Sequence, residues 1–446
     1  MVRKVIQKFE KIESIRGELE LRGDKSISHR AVMFAALANG ISIIRNCSDS
    51  EDVRSTMSCF EKLGANFEFV NDSIKVFGKG FKGFSKPEND LYAGNSGTTA
   101  RLISGILSAQ NFESNITGDD SLSKRPMKRI VEPLRMIGAN ISVNEEGIMP
   151  IHIKPSSALK AVNYKLQVAS AQVKSALILC AIHLDQESVI IEPVPTRNHT
   201  EKLLGLKTVN DSDGTKIFVS KKNYPQPFEI TVPSDISSAA FFIVLALLTR
   251  NSEIVIKNVS LNETRTGVID ILKLMGGKIE IENLMEVKGE EVGDLRIFSS
   301  NLKNISIPET IIPNIIDEIP ILSVAGVFAE GNFRISGAKE LRVKESDRIK
   351  SLCQNFTRAG LTITEFEDGF ELHGKASNKN IMFESYGDHR IAMAFGVMSM
   401  LIGNGGMVND FESVAVSNPQ FVAQINKLVN NNLNSLLHNA GIQNDQ

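Results

Sequence analysis

The apolar and polar positions of this chain fall into a pattern that recurs. "KLGANFEFV" (62–70), "MIGANISV" (136–143), "LMGGKIEIE" (274–282) and "RAGLTITEF" (358–366) share one shape. A helical period ends at a glycine, and an alternating strand follows. Glycine just past the last helical residue is the left-handed stop signal, and strict alternation marks a half-buried strand. Upstream of each stop, a small-residue turn opens an almost wholly apolar helix. A short strand follows, then an amphipathic helix.

"DKSISHRAVMFAALANG" leads through "ISIIRN" to "SDSEDVRSTMSCFEKLG", and "GNSGTTARLISGILSAQ" through "ESNITG" to "RPMKRIVEPLRMIG". "SDISSAAFFIVLALLTRN" and "IIDEIPILSVAGVFAEG" open the same succession, and "VASAQVKSALILCAIHL" and "YGDHRIAMAFGVMSM" read as worn copies. Six units of βαβαββ type result, a repeat architecture whose first helices are buried and whose second helices cover them. The units divide into two groups of three. The expected first domain is 23–233 and the second is discontinuous, 1–22 with 234–446; the chain crosses near 22–24 and 231–235. Residues 3–22 are expected to pair as a strand with the later half, and the polar tail "NNNLNSLLHNAGIQNDQ" to fray.

Composition narrows the class. A chain of 446 residues exceeds one ordinary core, and 42% hydrophobic with 23% charged residues fits a soluble globular protein. A net charge of -2 supplies no general field toward nucleic acid or membrane, so an anion site must be a local gathering of Lys and Arg. Aromatics at 6% and the absence of Trp weigh against a base-stacking platform. The apolar run Ala239–Leu248 is too short to span a bilayer. The N-terminus lacks an apolar signal segment, and Cys47, Cys59, Cys180 and Cys353 are scattered without metal-ligand spacing. A reducing cytoplasm is therefore expected, with no metal or other cofactor.

If the units are equivalent, so are their first turns, and those turns hold the unusual residues: Lys25, Ser26 and Arg30; Asn95, Gly97 and Thr98; Ser170 and Gln172; Asp317; Asp388, His389 and Arg390. Helix amino ends suit phosphate and carboxylate. Taken singly, each has a plainer explanation. "GNSGTT" is neither a Walker loop nor a dinucleotide fingerprint, and "LRVKESDRIK" (341–350) has the make-up of a solvated, salt-bridged helix start.

Taken together they do not. "GDKSISHRA", "GNSGTTARL", "KRPM", "VASAQVKSALIL", "IIDEIP", "LRVKESDRI" and "GDHRIAMAF" resemble, in order and spacing, the enolpyruvylshikimate-phosphate synthases (3-phosphoshikimate 1-carboxyvinyltransferases) from about residue 12 to residue 425. The resemblance implies an α/β fold of two domains, each of three βαβαββ units in an inside-out α/β barrel, with the active site in the cleft between them. It implies a monomer that acts on two small molecules, shikimate 3-phosphate and phosphoenolpyruvate, without nucleic acid or membrane, and that is a target of glyphosate.

Carried over residue by residue, Ser26 and Arg30 hold shikimate phosphate and Lys25 touches both substrates. Ser170, Ala171, Gln172 and Thr196 line the same pocket, Ala171 standing where some members carry a second serine, and Arg197 adds a cation. Gly97, Arg125 and Gln172 contact phosphoenolpyruvate. From the second domain, Asp317 and Lys344 bind shikimate 3-phosphate, and Arg348 and Arg390 clamp phosphoenolpyruvate. Asp317 serves as the base for the attacking hydroxyl, Glu345 as the acid and base at the methylene carbon, and Lys25 as proton donor to the bridging oxygen or the leaving phosphate. In "VAVSNPQF" this chain has Val416 where some relatives carry a lysine.

The residue types suit that chemistry. Two phosphate monoesters and two carboxylates bring roughly -5 to -6 of charge, which Lys25, Arg30, Arg125, Lys344, Arg348 and Arg390 together balance. The sister transferase acting on UDP-N-acetylglucosamine remains the nearest alternative. It usually places a Cys or Asp in the loop aligned with "GDDSLSKRPM", where this chain has Asp119 and Asp120 but no Cys. A non-catalytic anion-binding protein on the same fold is the other.

Overall fold

The structure, a computed structural model, describes residues 5–377 and 379–439. Six helices, buried along nearly their whole length, organise it: α1 (Lys25–Leu37), α2 (Gly97–Leu107), α3 (Ala171–Ala181), α4 (Ile236–Leu248), α5 (Ile319–Phe328) and α6 (His389–Leu401). Each opens one of the repeated units. Five start under a side-chain cap, with Asp24, Ser96, Ser170, Asp235 and Asp388 accepting from backbone N–H groups of the first turn. Such caps satisfy donors that the helix itself leaves unpaired. Only α5 opens without one, at Glu318.

The glycine stops act as the pattern predicts. Gly64, Gly138, Gly276 and Gly360 take φ of +96°, +95°, +98° and +88°, a region that other residues enter at a cost. Each ends a covering helix: Glu51–Lys62, Lys128–Met136, Gly267–Leu274 and Arg348–Arg358.

Four sheets share one strand order, in which the opening strand lies parallel to the second and the last two run as an antiparallel hairpin. The first takes Glu229–Thr231 as its opening strand beside Ile41–Arg45, and the fourth takes Arg16–Glu20 beside Glu253–Ser260. The N-terminal stretch thus pairs with the later half, as its pattern suggests, but in two pieces. Gln7–Phe9 runs antiparallel to Gly406–Asn409 in the sixth sheet.

The six-fold repeat needs correction at the fifth unit, and the sixth departs from it as its worn sequence suggests. The fifth sheet has three strands, and a single bridge, Lys303 to Glu330, stands where an opening strand belongs. The sixth replaces its covering helix with a 3-10 turn, Phe411–Val416, and the helix Phe421–Asn439. The third, "VASAQV", is complete rather than worn, with sheet strands Asn163–Lys165, Ser188–Glu192, Gly214–Val219 and Lys207–Asp211. The tail expected to fray continues as helix to Asn439. Residues 440–446 lie outside the described residues, as do 3 and 4 of the expected opening strand.

The chain divides into two compact units, one of residues 22–233 with 286–290, the other of residues up to 21, 234–285 and 291 onward. Residues 286–290 group with the first unit, a departure from the boundary read in the sequence. Each unit has its own apolar core. In one, α4, α5 and α6 pack on one another; in the other, α2 packs on α1 and α3. All four cysteines are buried and free. Among the described residues no single helix is long and apolar enough to cross a membrane.

The α2–α3 contact depends on Gly105, where an added Cβ would come within 2.1 Å of the Ala176 carbonyl oxygen, a backbone atom that cannot step aside. Gly105→Ala should therefore destabilise the chain by about 1–3 kcal/mol, the usual cost of overpacking. A drop in the urea midpoint with unchanged slope is the expected result; an unchanged midpoint would mean that the two helices are free to part.

Candidate active site

In the unit of residues 22–233, the amino ends of α1, α2 and α3 carry the polar groups. Lys25, the first residue of α1, places Nζ 2.8 Å from Asp52 Oδ2. One turn later Arg30 is 3% exposed. Its Nε donates to Thr200 Oγ1 at 2.7 Å, Nη1 to the Ser26 carbonyl at 2.9 Å and Nη2 to Ser175 Oγ at 2.9 Å. Every one of these partners is neutral. Burial pushes the Arg30 pKa down to about 10, with Glu201 and Asp24 opposing the shift. A buried guanidinium held by hydroxyls and a carbonyl is a cation suited to an incoming anion.

Gly97 is the first residue of α2. A Cβ there would stand 2.7 Å from Arg101 Nη1 and 3.5 Å from Arg125 Nη1, so the glycine lets two guanidinium groups approach the helix end. Arg101 Nη1 donates to Gln172 Oε1 at 2.6 Å, and Gln172 Nε2 donates to Thr98 Oγ1 at 3.1 Å, which ties the start of α3 to the start of α2. Arg125 is held by Asn95 Oδ1 at 2.7 Å and Ser121 Oγ at 3.3 Å. Asn95 in turn donates to Asp119 Oδ2 at 2.7 Å, while Asp119 Oδ1 accepts from the Leu122 N–H at 2.7 Å. Both Asp119 oxygens thus hold the loop together. Ser170 caps α3, and Ala171 is the first residue of that helix. Thr196 is buried, and its hydroxyl donates to Glu192. Glu192 and Glu201 close on the fully buried Lys174 at 2.8 and 2.7 Å.

In the other unit, Asp317 precedes α5, and Arg348 begins the helix Arg348–Arg358. Arg348 is the fixed point. Its side chain is 1% exposed, and it donates to Asp388 Oδ2 at 2.8 Å and Oδ1 at 3.3 Å, to Asp317 Oδ1 at 3.2 Å and to Glu345 Oε2 at 2.5 Å. These carboxylates hold the guanidinium firmly in its charged form, against the pull of burial. Asp317 also has Lys344 Nζ at 3.6 Å and Arg390 Nη2 at 3.9 Å. Burial lowers the Lys344 pKa, Asp317 opposes that, and Arg348 adds to it. Arg390 Nη1 donates to the Asp317 carbonyl at 2.8 Å. Val416 lies in the 3-10 turn Phe411–Val416.

The structure gathers Lys25, Ser26, Arg30, Gly97, Arg125, Ser170, Ala171 and Gln172 around one set of helix starts, and Asp317, Lys344, Glu345, Arg348 and Arg390 around the other. Arg197 is half-buried, two residues before the helix His199–Leu204 that carries Thr200. In "LRVKESDRIK" the chemistry and the scaffold interleave. Arg342 pairs with Asp347 at 2.9 Å, and Asp347 caps the following helix, so these two are structural.

One reading from composition needs revision. The cations do not stand as a surplus, because Asp52, Asp388, Glu345 and Glu318 sit among them. Asp52, Arg101, Lys174, Ser175, Thr200 and Glu318 were not legible as site neighbours, whereas Asp388 was marked by its place at a first turn. Asp52 reads as an ordinary first-turn acid, and nothing in sequence spacing marks Thr200 as the partner of Arg30.

The family model for EPSP synthase (3-phosphoshikimate 1-carboxyvinyltransferase) matches residues 9–425. The chain is 43% identical over 419 residues to the 3-phosphoshikimate 1-carboxyvinyltransferase of Syntrophomonas wolfei, a match that covers 94% of this chain and 98% of that protein. It is 46% identical over 421 residues to the same enzyme of Caldicellulosiruptor saccharolyticus, covering 93% of this chain and 97% of that one. A solved EPSP synthase from Acinetobacter baumannii superposes with a TM-score of 0.83 at 40% identity, covering 96% and 98% of the two chains. The enolpyruvyl transferase NikO of Streptomyces tendae, at 13% identity and a TM-score of 0.72, shares the fold.

The starts of α1 and α2 also contain a histidine that titrates out of step with the unfolded chain. His29 Nδ1 lies 2.7 Å from Thr56 Oγ1, which lies 2.6 Å from Thr99 Oγ1. Burial, then Lys25 and Arg30, hold its pKa well below the ordinary value, and burial lowers that of His183 to about 4. Both stay neutral in the folded chain where the unfolded chain takes up protons. Stability is therefore full above about pH 6.5 and declines below it, by up to about 1.4 kcal/mol per pH unit for each histidine. For His183 the decline should level off near pH 4. Urea midpoints at a series of pH values should fall less steeply in His183→Phe than in the parent; identical slopes would contradict this.

Proposed function

The chain belongs to the EPSP synthase family, and we propose that it transfers the enolpyruvyl group of phosphoenolpyruvate to the 5-hydroxyl of shikimate 3-phosphate, releasing phosphate. The observation that carries the chemistry is the pair Asp317 and Glu345. Both carboxylates are bound to one buried arginine, Arg348, which is backed by Asp388. Their own side chains remain 13% and 20% exposed. Two carboxylates locked to one frame, yet open on their outer faces, suit a reaction with two proton transfers.

In this reading Asp317 takes the proton of the 5-hydroxyl as its oxygen bonds to C2 of phosphoenolpyruvate. Glu345 delivers a proton to C3, completing the tetrahedral intermediate, and removes one from C3 as the C2–O bond to phosphate breaks. Lys25 protonates the departing phosphate. Ser26, Arg30, Ser170, Ala171, Gln172, Thr196, Arg197, Asp317, Lys344 and Lys25 bind shikimate 3-phosphate. Lys25, Gly97, Arg125, Gln172, Arg348 and Arg390 bind phosphoenolpyruvate.

The two arginines divide the work. Among the described residues Arg390 makes its side-chain hydrogen bonds through Nη1, and Nη2 stands 3.9 Å from Asp317 Oδ2, so the Nε and Nη2 edge suits a bidentate oxyanion. Arg348 is largely committed to carboxylates and has one Nη1 hydrogen to offer. We further propose a cytoplasmic monomer, in keeping with four buried thiols that remain free.

The direct test is phosphate release that requires both substrates. Asp317→Asn should still bind shikimate 3-phosphate yet lose about 10²–10⁴-fold in turnover, the span of general-base catalysis; turnover within a few-fold of the parent would remove Asp317 from the role.

Glyphosate should inhibit at the phosphoenolpyruvate site. Gly97→Ala pushes a methyl against the far end of the flexible Arg101 side chain, so the chain should fold normally while Arg101 shifts from Gln172. The glyphosate inhibition constant should then rise far more than the phosphoenolpyruvate KM, and a parallel rise in both would refute the steric account.

A further inference from the structure

We infer that Glu318 is the positioning residue for Arg390, holding one edge of its guanidinium so that the other edge faces the ligand; this rests on the reading of Arg390 as a phosphoenolpyruvate contact. Glu318 is fully buried and opens α5, the one core helix without a side-chain cap. Its carboxylate is instead turned toward the starts of α4 and α6 and the loop before Gly267. Oε1 accepts from the Ser237 hydroxyl and lies 3.5 Å from Arg390 Nη1 and 3.8 Å from Arg265 Nη2. Arg265 itself donates to Ser237. Among the described residues Oε2 has no hydrogen-bond partner.

A buried carboxylate with one oxygen unpartnered is unfavourable unless cations and helix amino ends surround it. Glu318 has Arg265, Arg390 and the starts of α4, α5 and α6. The consequence falls on Arg390. Its Nη1 is drawn to Glu318 and the Asp317 carbonyl, both on the same side. The planar guanidinium then turns its Nε and Nη2 edge the other way. Glu318 touches no substrate in this account. It fixes which edge Arg390 presents, while Asp388 fixes the backbone of Arg390 from its N–H at 2.9 Å.

The test uses the full chain. Glu318→Gln keeps the shape and an acceptor for Ser237 while removing the charge. The expected result is a phosphoenolpyruvate KM raised at least about 10-fold, with the shikimate 3-phosphate KM within about twofold and kcat within about threefold of the parent, changes of the size a lost charged contact gives. In an Arg390→Ala background the same substitution should add less than about twofold, since the two act as one unit. Ser237→Ala, which deletes one neutral contact and should fold, is expected to move the phosphoenolpyruvate KM in the same direction by a few-fold.

Equal phosphoenolpyruvate KM in parent and Glu318→Gln, or a parallel rise in both KM values, overturns the inference. Equilibrium titration with phosphoenolpyruvate alone separates this from the reaction itself. If the parent releases no phosphate, the proposed activity fails, and equal titration curves for parent and Glu318→Gln would then overturn the role of Glu318 on their own.

Discussion

Beyond its first two turns each core helix is almost wholly apolar and buried, and that constraint shapes everything else. Such a helix must be enclosed, so polar function gathers at its amino end and first two turns. There the backbone leaves N–H groups unpaired and the dipole is positive. Six helices of this kind give six such ends. Lys25, Gly97, Ala171, Asp235, Asp317 and Asp388 stand at or within two residues of them.

The two units answer the same constraint with different chemistry. In the unit of residues 22–233, arginines are steadied mainly by neutral groups: Arg30 by Thr200, Ser175 and Ser26, Arg101 by Gln172, Arg125 by Asn95 and Ser121. Cations held this way keep their attraction for an anion. In the other unit, Arg348 is saturated with carboxylates, and Lys344 and Arg390 lie near Asp317. Ion clusters of this kind add little net stability, because desolvation offsets the attraction, but they fix position strongly, since removing one partner leaves a buried charge behind. Under the proposed function, the first of these units would receive phosphate and the other would hold acids and bases at set points. An addition followed by an elimination needs both properties.

Much of this was legible in the sequence where the signal is local. The glycine stops were marked by period, and all four adopt the left-handed backbone that the pattern requires. Asp317 was marked by its place at the first turn of a repeated unit, whereas Glu345 lay in a stretch with the make-up of a solvated helix start, and it was the resemblance of the surrounding motifs that assigned both their roles. The fifth unit reads as regular because its helices repeat well, although it lacks its opening strand, while the sixth, read as a worn copy, lacks its covering helix.

The sequence by itself determined the helices, their stops, the repeat and the residues at each helix start, because period, capping and glycine conformation act over a few residues. Only the tertiary structure decided which start meets which. Arg30 finds Thr200 across 170 residues, Lys25 finds Asp52 across 27, and Arg348 finds Asp388 across 40. Those pairings follow from covering three apolar helices within one unit, which sets the start of a core helix against a covering helix whatever their separation along the chain. Glu318 shows the difference most plainly. In sequence it is the residue after Asp317, with the look of a helix-start acid. In the structure it is a buried charge between two arginines, because the helices that carry its partners had nowhere else to pack.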